Sequence, residues 1–125
     1  MYDKNNILAK IIRGEIPSDK IYEDSQVLAI RDIVPAAPVH ILVLPKGEYT
    51  SFHDFTAKAT NDEIAHFYKI VQKICADLEL DKTGYRVLSN VGEHGMQTIH
   101  HMHLHILAGK SLGRLVSTNS GRSQP

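Results

Sequence analysis

Four of the chain's 8 histidines lie within six consecutive positions, and three of them alternate with apolar residues. His101, His103 and His105 are two residues apart in the segment His-Met-His-Leu-His-Ile-Leu. Because strand side chains alternate between two faces, a strand here would present three imidazoles on one face and apolar side chains on the other. His100 falls in the apolar set, and we expect it at the edge of the core.

Three hypotheses account for alternating imidazoles. They could be polar residues on a solvated face, but strict alternation beside Gln97 and Thr98 disfavours that interpretation. They could bind zinc, with a further ligand such as His40 from another strand, although the chain has no Cys-x-x-Cys to support a metal site. They could perform chemistry on a phosphate, where one neutral imidazole attacks phosphorus and its neighbours offset charge on the oxygens. The pattern favours the third.

The composition limits the class of protein. A chain of 125 residues, 42% hydrophobic and 22% charged, suits one globular domain. Its 14 basic and 14 acidic side chains cancel, which argues against a broad surface for nucleic acid or anionic membrane. Cys75 is the single cysteine and cannot form an internal disulfide. With no signal peptide or membrane-spanning stretch, we expect a cytoplasmic protein.

The elements that position these histidines can be predicted from the apolar spacing. A helical stripe predicts a helix over residues 5–13, which Asp3 or Asn5 would cap and Gly14 would end. Branched and apolar residues predict strands over residues 27–32, 39–44, 85–91 and 100–108.

The clearest predicted helix covers residues 60–79. Thr60 and Glu63 have the spacing of a capping box, and the apolar face includes Cys75 as a core residue. Residues 116–125 have the composition of a flexible tail. Together the elements predict an α+β fold, an antiparallel sheet with helices packed on one face.

The histidine segment resembles the signature of the histidine-triad (HIT) superfamily of nucleotide hydrolases and transferases. That signature is His-φ-His-φ-His-φ-φ, with φ apolar, and every position from His101 to Leu107 fits it. ILAKIIRGEIPSDKIYED, RDIVPAAPVHILVLPK and YRVLSNVGEHGMQTIHHMHLHILAGKSLG are similar to the family in order and spacing. The ending LHILAGKSLG resembles the nucleotide-binding branch more than the fragile-histidine-triad branch, which hydrolyses dinucleoside polyphosphates. The resemblance implies a domain over residues 1–115, with a five-stranded sheet extended across a homodimer.

The resemblance also implies roles for individual residues. His103 would be the nucleophile that takes up the nucleotidyl group, and His105 would contact the phosphate or the bridging atom. His101 would orient the site, with His40 behind it. Asp32 would accept hydrogen bonds from both ribose hydroxyls, although the residues alone equally allow a turn-forming aspartate. Further implied nucleotide-binding residues are Leu8 and Ile11 at the base pocket, Ile33 against the base, Asn90 near the ribose and phosphate, Met96, Gln97 and Thr98 in the phosphate loop, and Leu104.

Several positions depart from the family pattern. Relatives with a zinc site carry Cys-x-x-Cys where this chain has Asn6 and Ala9, so we expect no metal and no cofactor. Met96 stands where glycine is common, and Thr98 replaces a serine while keeping a hydroxyl that could pass a proton to a leaving amine. The chain has no tryptophan, so the aromatic C-terminal contact of some relatives is missing.

The sequence therefore suggests a homodimeric purine nucleoside phosphoramidase that binds a purine mononucleotide and neither nucleic acid nor membrane. It would cleave the P–N bond of an AMP- or GMP-amine conjugate, or release AMP from adenylylated lysine. Two alternatives stay open: a dinucleoside polyphosphate hydrolase, and a nucleotide-binding or scaffold protein whose turnover is incidental.

Overall fold

The computed structural model describes residues 1–116, so the predicted flexible tail lies outside the described residues apart from Val116. The elements of this part are α1 (Ile7–Ile12), β1 (Lys20–Glu23), β2 (Val27–Arg31), β3 (Val39–Pro45), α2 (Phe52–Lys58), α3 (Asn61–Asp77), β4 (Tyr85–Leu88) and β5 (Leu104–Ala108), with one 3-10 turn at Leu80–Lys82. None of the helices in residues 1–116 has the length and apolar character needed to cross a membrane.

The strands form one five-stranded antiparallel sheet in the order β1-β2-β3-β5-β4. The predicted α+β fold is confirmed. In the pairing of β3 with β5, Leu42 lies opposite His105 and His40 lies opposite Leu107. Directly opposed residues share a face, so His40 becomes the diagonal neighbour of His105 on that face.

Strand β2 is buried along most of its length because both faces of the sheet are covered there. Val27 and Ala29 belong to the core beneath α2 and α3, where Phe55 and Phe67 pack edge to face with ring centroids 5.2 Å apart. Leu28 and its neighbours on the other face pack against α1. Helix α3 packs on one face together with α2, and the short α1 covers part of the opposite face, which holds His40 and His105.

The helix ends follow local hydrogen bonding. Thr60 and Glu63 form the predicted capping box at the start of α3. The predicted cap of α1 was wrong, because Asn6 is the residue whose side chain accepts from the amide of Ala9. The carboxylate of Asp3 instead accepts from the amide of Asn5, in the turn before the helix. Helix α2 was not predicted, because its seven residues make too short a stripe; the Ser51 hydroxyl that accepts from Asp54 was its only local signal.

The last two strands are shorter than predicted. β4 ends at Leu88 and β5 begins only at Leu104. The amide of Met102 donates to the carbonyl of Tyr49, outside the sheet ladder, at 2.8 Å. The residues just before Leu104 therefore lie outside the sheet ladder, and His100 is exposed instead of lying at the core edge.

Candidate active site

The ring of His103 is held by the backbone just before it. Its Nδ1 lies 2.7 Å from the carbonyl oxygen of His101. A carbonyl only accepts hydrogen bonds, so Nδ1 carries the proton and Nε2 keeps its lone pair. Burial lowers the pKa of His103 below its ordinary value, so the ring is neutral at pH 7.

His105 and His40 are joined ring to ring. The amide of Ala36 donates to Nδ1 of His40 at 3.0 Å, so the proton of His40 is on Nε2. That Nε2 lies 2.8 Å from Nδ1 of His105, which must therefore accept and carry its own proton on Nε2. Burial, reinforced by the neighbouring imidazoles, lowers the pKa of His105 to about 4. The site thus has a lone-pair nitrogen on His103 beside an N–H donor on His105, with ring centroids 5.1 Å apart.

The expected position of His40 behind His101 was wrong. His40 lies behind His105, because the register of β3 and β5 makes these two residues diagonal neighbours. Oδ2 of Asp32 is 3.5 Å from Nε2 of His40, the same nitrogen that faces His105, so the carboxylate lies beside the contact between the two rings.

His101 lies deeper in the protein than the other two histidines, while Met102 and Leu104 pack in the core beneath α2 and α3 as the alternation predicts. Its side chain is 0% exposed, and its Nε2 lies 2.8 Å from the carbonyl oxygen of Pro45 at the end of β3. Its Nδ1 lies 2.5 Å from the hydroxyl of Tyr2. Burial lowers the pKa of His101 to about 4. The two hydrogen bonds of the ring hold the segment before β5 in place.

An apolar cavity of about 270 Å³ opens beside Asp32. The predicted residues Leu8, Ile11, Asp32 and Ile33 all line it, together with Ile7, Ile16, Pro17, Ser18, Ile30, Arg31, Leu42 and Ile99. Oδ1 of Asp32 accepts from the amide of Val34 at 2.9 Å, so the aspartate also forms the turn that its position suggested. The cavity and the histidine pair meet at this carboxylate.

The predicted phosphate loop is held by its own polar side chains. Nε2 of Gln97 donates to the carbonyls of Thr50 and Ile99, and its Oε1 accepts from the amide of Gly92. The side chain of Gln97 is therefore used within the protein. Asn90 donates to the carbonyl of Gly95 at 2.6 Å.

The other predicted nucleotide-binding residues differ in accessibility. Thr98 is exposed, and so is Met96, which has a positive φ of 62° that glycine would adopt with less strain. The side chain of Leu104 is buried in the core with α3, which leaves only its backbone for a ligand.

Two residues near the histidines were missed from the sequence. The hydroxyl of Ser89 donates to the carbonyl of His103 at 2.8 Å, and Tyr2 contacts His101. Neither position carries a local signal, because the partners are 14 and 99 residues away along the chain.

One group of side chains within residues 1–116 has donor atoms close enough to hold a metal ion. It consists of Asp32, His40 and His105, within 4.8 Å of one another, and it does not include His103. A metal on Nε2 of His40 would require the proton to move to Nδ1, where it would face the donating amide of Ala36. The donor set therefore does not fit a metal.

The zinc-binding positions of some relatives are also unsuitable for a metal here. Oδ1 of Asn6 already accepts from the amide of Ala9 at 2.9 Å, and the alanine side chain has no ligand atom. The two positions form a helix cap.

Comparison with known proteins gives consistent matches. A model of the HIT domain matches residues 13–112. The chain is 50% identical over 119 residues to an uncharacterised HIT-like protein of Rickettsia prowazekii, covering 95% of this chain and 99% of that protein. It is 37% identical to a purine nucleoside phosphoramidase of Escherichia coli K12, over 91% and 95% of the two chains. A solved histidine triad protein from Clostridium difficile has a TM-score of 0.80 and 44% identity, over 91% of this chain and 98% of that one.

Burial of neutral His101 predicts a loss of stability in acid. Its pKa is about 4 when folded and near 6.5 when unfolded, so only the unfolded chain takes up the proton between these values. The contribution of neutral His101 to the free energy of unfolding is complete above about pH 6.5 and decreases by about 2 kcal/mol on going to about pH 5. Urea unfolding across this window should give a smaller decrease for His101→Gln, which keeps a donor and an acceptor. The exposed control His53→Gln should follow wild type; an equal slope in all three proteins would contradict the prediction.

Proposed function

The chain belongs to the HIT domain family, and from this membership and the site geometry we propose that it is a purine nucleoside phosphoramidase. It hydrolyses the P–N bond of an AMP- or GMP-amine conjugate, or of adenylylated lysine, through a covalent nucleotidyl-histidine. A relative that is 37% identical bears the name of this activity. The observation that carries the proposal is the hydrogen bond that leaves a lone pair on Nε2 of neutral His103.

The reaction proceeds in two displacements at phosphorus. In the first, Nε2 of His103 forms a bond to phosphorus while the P–N bond breaks and the amine leaves with a proton. In the second, water attacks phosphorus, the N–P bond breaks, and the nucleoside monophosphate is released with a neutral His103, while one proton of the water returns to solvent. The attacking nitrogen needs no prior deprotonation, because the ring proton is already on Nδ1.

His105 is the proposed hydrogen-bond donor to the phosphate or the bridging nitrogen. Its Nδ1 accepts from Nε2–H of His40, which fixes its own Nε2–H as the donor. Its lowered pKa keeps the ring neutral at pH 7, so it donates a hydrogen bond without giving up the proton. The leaving amine takes its proton from water, and the exposed hydroxyl of Thr98 offers a path for that proton.

Nucleotide recognition is assigned to the cavity beside Asp32. The apolar lining suits a purine ring, and the carboxylate at its border suits the two ribose hydroxyls. The backbone amides of residues 96–98 are the proposed phosphate contacts, since the side chain of Gln97 is already bonded elsewhere. The formal charge of zero supports a small nucleotide as the ligand over nucleic acid or an anionic membrane. The single free cysteine, Cys75, supports a cytoplasmic location.

We also propose a homodimer formed through β4. This strand lies at the edge of the sheet, and the side chains of Tyr85 and Val87 are 39% and 44% exposed. An edge strand with exposed apolar residues suits pairing with a second copy. Sedimentation velocity should give twice the chain mass of 14.0 kDa, and Val87→Lys should shift the protein towards the monomer. A wild-type monomer at micromolar concentration would contradict this part of the proposal.

Replacing His103 tests the nucleophile. His103→Asn keeps a polar side chain but lacks a comparable nucleophilic lone pair, so AMP should still bind while hydrolysis of AMP-morpholidate falls by about a thousandfold or more. His105→Asn should lose less, because it forms no bond to phosphorus. The exposed control His53→Asn should keep the wild-type rate.

The same experiment separates the alternatives. Rapid acid quench of wild type with AMP-morpholidate should give a nucleotidyl adduct on the peptide that contains His103. Near wild-type turnover by His103→Asn would refute the mechanism. A strong preference for diadenosine polyphosphate would favour the dinucleoside polyphosphate hydrolase, and AMP binding without any turnover would favour a nucleotide-binding protein.

The role of Asp32 is tested by ribose selectivity. A dideoxyribose analogue leaves the carboxylate without its two hydroxyl donors, which costs about 1–3 kcal/mol of binding free energy. Wild type should therefore bind AMP at least about fivefold more tightly than this analogue. In Asp32→Ala this difference should disappear. Using the ratio of the two affinities cancels any general weakening of the site. Equal affinities in wild type would refute the assignment.

A further inference from the structure

We propose that Tyr2 is a positioning residue for the reaction at His103 and that it acts through the ring of His101. The inference rests on the proposed function for its kinetic part. It concerns a hydroxyl that lies behind the triad and does not face the nucleotide cavity. The two rings pack edge to face with centroids 5.6 Å apart, at an interplanar angle of 72°.

The direction of the hydrogen bond between Tyr2 and His101 follows from the other side of the imidazole. Nε2 of His101 lies 2.8 Å from the carbonyl oxygen of Pro45, so this nitrogen must donate. A neutral ring then has only a lone pair on Nδ1, which faces the Tyr2 hydroxyl at 2.5 Å. Burial raises the pKa of the phenol, so the hydroxyl keeps its proton and donates it. Tyr2 therefore stabilises the one neutral tautomer of His101 that fits the fold.

The position of His101 in turn determines that of His103. The backbone carbonyl of His101 accepts the Nδ1–H of His103 at 2.7 Å and so sets the orientation of the proposed nucleophile. This carbonyl precedes β5 and has no support from the sheet ladder. The ring of His101 anchors it to the end of β3 on one side and to Tyr2 on the other. The amide of Met102 adds a bond to Tyr49.

Loss of the hydroxyl would leave a buried acceptor without a donor. The bond from Tyr2 forms only while Nδ1 of His101 keeps its lone pair, so losing it removes a stabilisation that the neutral ring has and the imidazolium lacks. The titratable groups that act on this ring are Glu48, which favours the imidazolium, and His103, which opposes it when protonated. The small cavity around Tyr2 also holds Arg13 and Lys46, two cations that oppose protonation. Removing the donor should therefore raise the pKa of His101 and loosen the carbonyl that holds His103.

The test compares Tyr2→Phe with Tyr22→Phe in the full chain. Both substitutions keep the aromatic ring and remove a hydroxyl that donates one hydrogen bond; Tyr22 donates to Asp24 at 2.7 Å, on β1 and outside the histidine network. One readout is steady-state hydrolysis of AMP-morpholidate. The other is nitrogen-15 NMR of the imidazoles without substrate, which reports tautomers, titration, and the hydrogen-bonded Nδ1–H of His103.

Tyr2→Phe should lower kcat by about tenfold with KM unchanged, because the nucleophile is misplaced in a site that still binds. His101 should titrate at higher pH than in wild type, and the Nδ1–H of His103 should exchange faster with water. Tyr22→Phe should match wild type in all three measurements.

A wild-type kcat in Tyr2→Phe, or an unchanged Nδ1–H signal of His103, would overturn the positioning role. Absence of phosphoramidate turnover in wild type would instead refute the proposed function. The NMR measurements would then still decide whether Tyr2 sets the tautomer of His101 and the orientation of His103.

Discussion

Three backbone groups, each restricted to donating or to accepting, determine where the protons of the histidine cluster lie. The carbonyl of His101 places the proton of His103 on Nδ1, and the carbonyl of Pro45 places that of His101 on Nε2. The amide of Ala36 places the proton of His40 on Nε2, which sets His105 in turn. An imidazole in water exchanges freely between its tautomers, whereas these four rings each have one neutral form compatible with their surroundings. The chemical difference between His103 and His105 follows from this constraint.

Burial gives these hydrogen bonds their effect. Desolvation lowers the pKa values of all three triad histidines, so these three rings stay neutral at the pH of a cell. A neutral ring keeps the lone pair that nucleophilic attack requires, and a site with little water strengthens the interaction of an N–H donor with a phosphoryl oxygen. The same burial makes every unsatisfied nitrogen costly, which explains why the rings are bonded on the sides that face the protein.

The sheet makes room for this cluster because its two faces differ. Beneath α2 and α3 the face is filled by a continuous apolar core that contains Phe55 and Phe67. Within residues 1–116, the opposite face carries one helix, the short α1, which leaves a cavity between that helix and the end of β2. Asp32 follows β2 at the border of the cavity, and its carboxylate reaches His40 on β3. The cavity and the imidazoles are therefore neighbours because β2 and β3 are paired.

The sequence by itself determined the features that depend on neighbours along the chain. The capping box at Thr60, the apolar stripe of α3 and the alternation of histidines with Met102, Leu104 and Ile106 are local patterns, and the triad signature identified the family. Tertiary structure alone decided which histidine pairs with which and where the strand begins. His40 contacts His105 across 65 positions because of the β3–β5 register, and Tyr2 contacts His101 across 99. Such contacts depend on how distant segments pack, and no spacing within a single segment encodes which distant partner a side chain such as His101 meets.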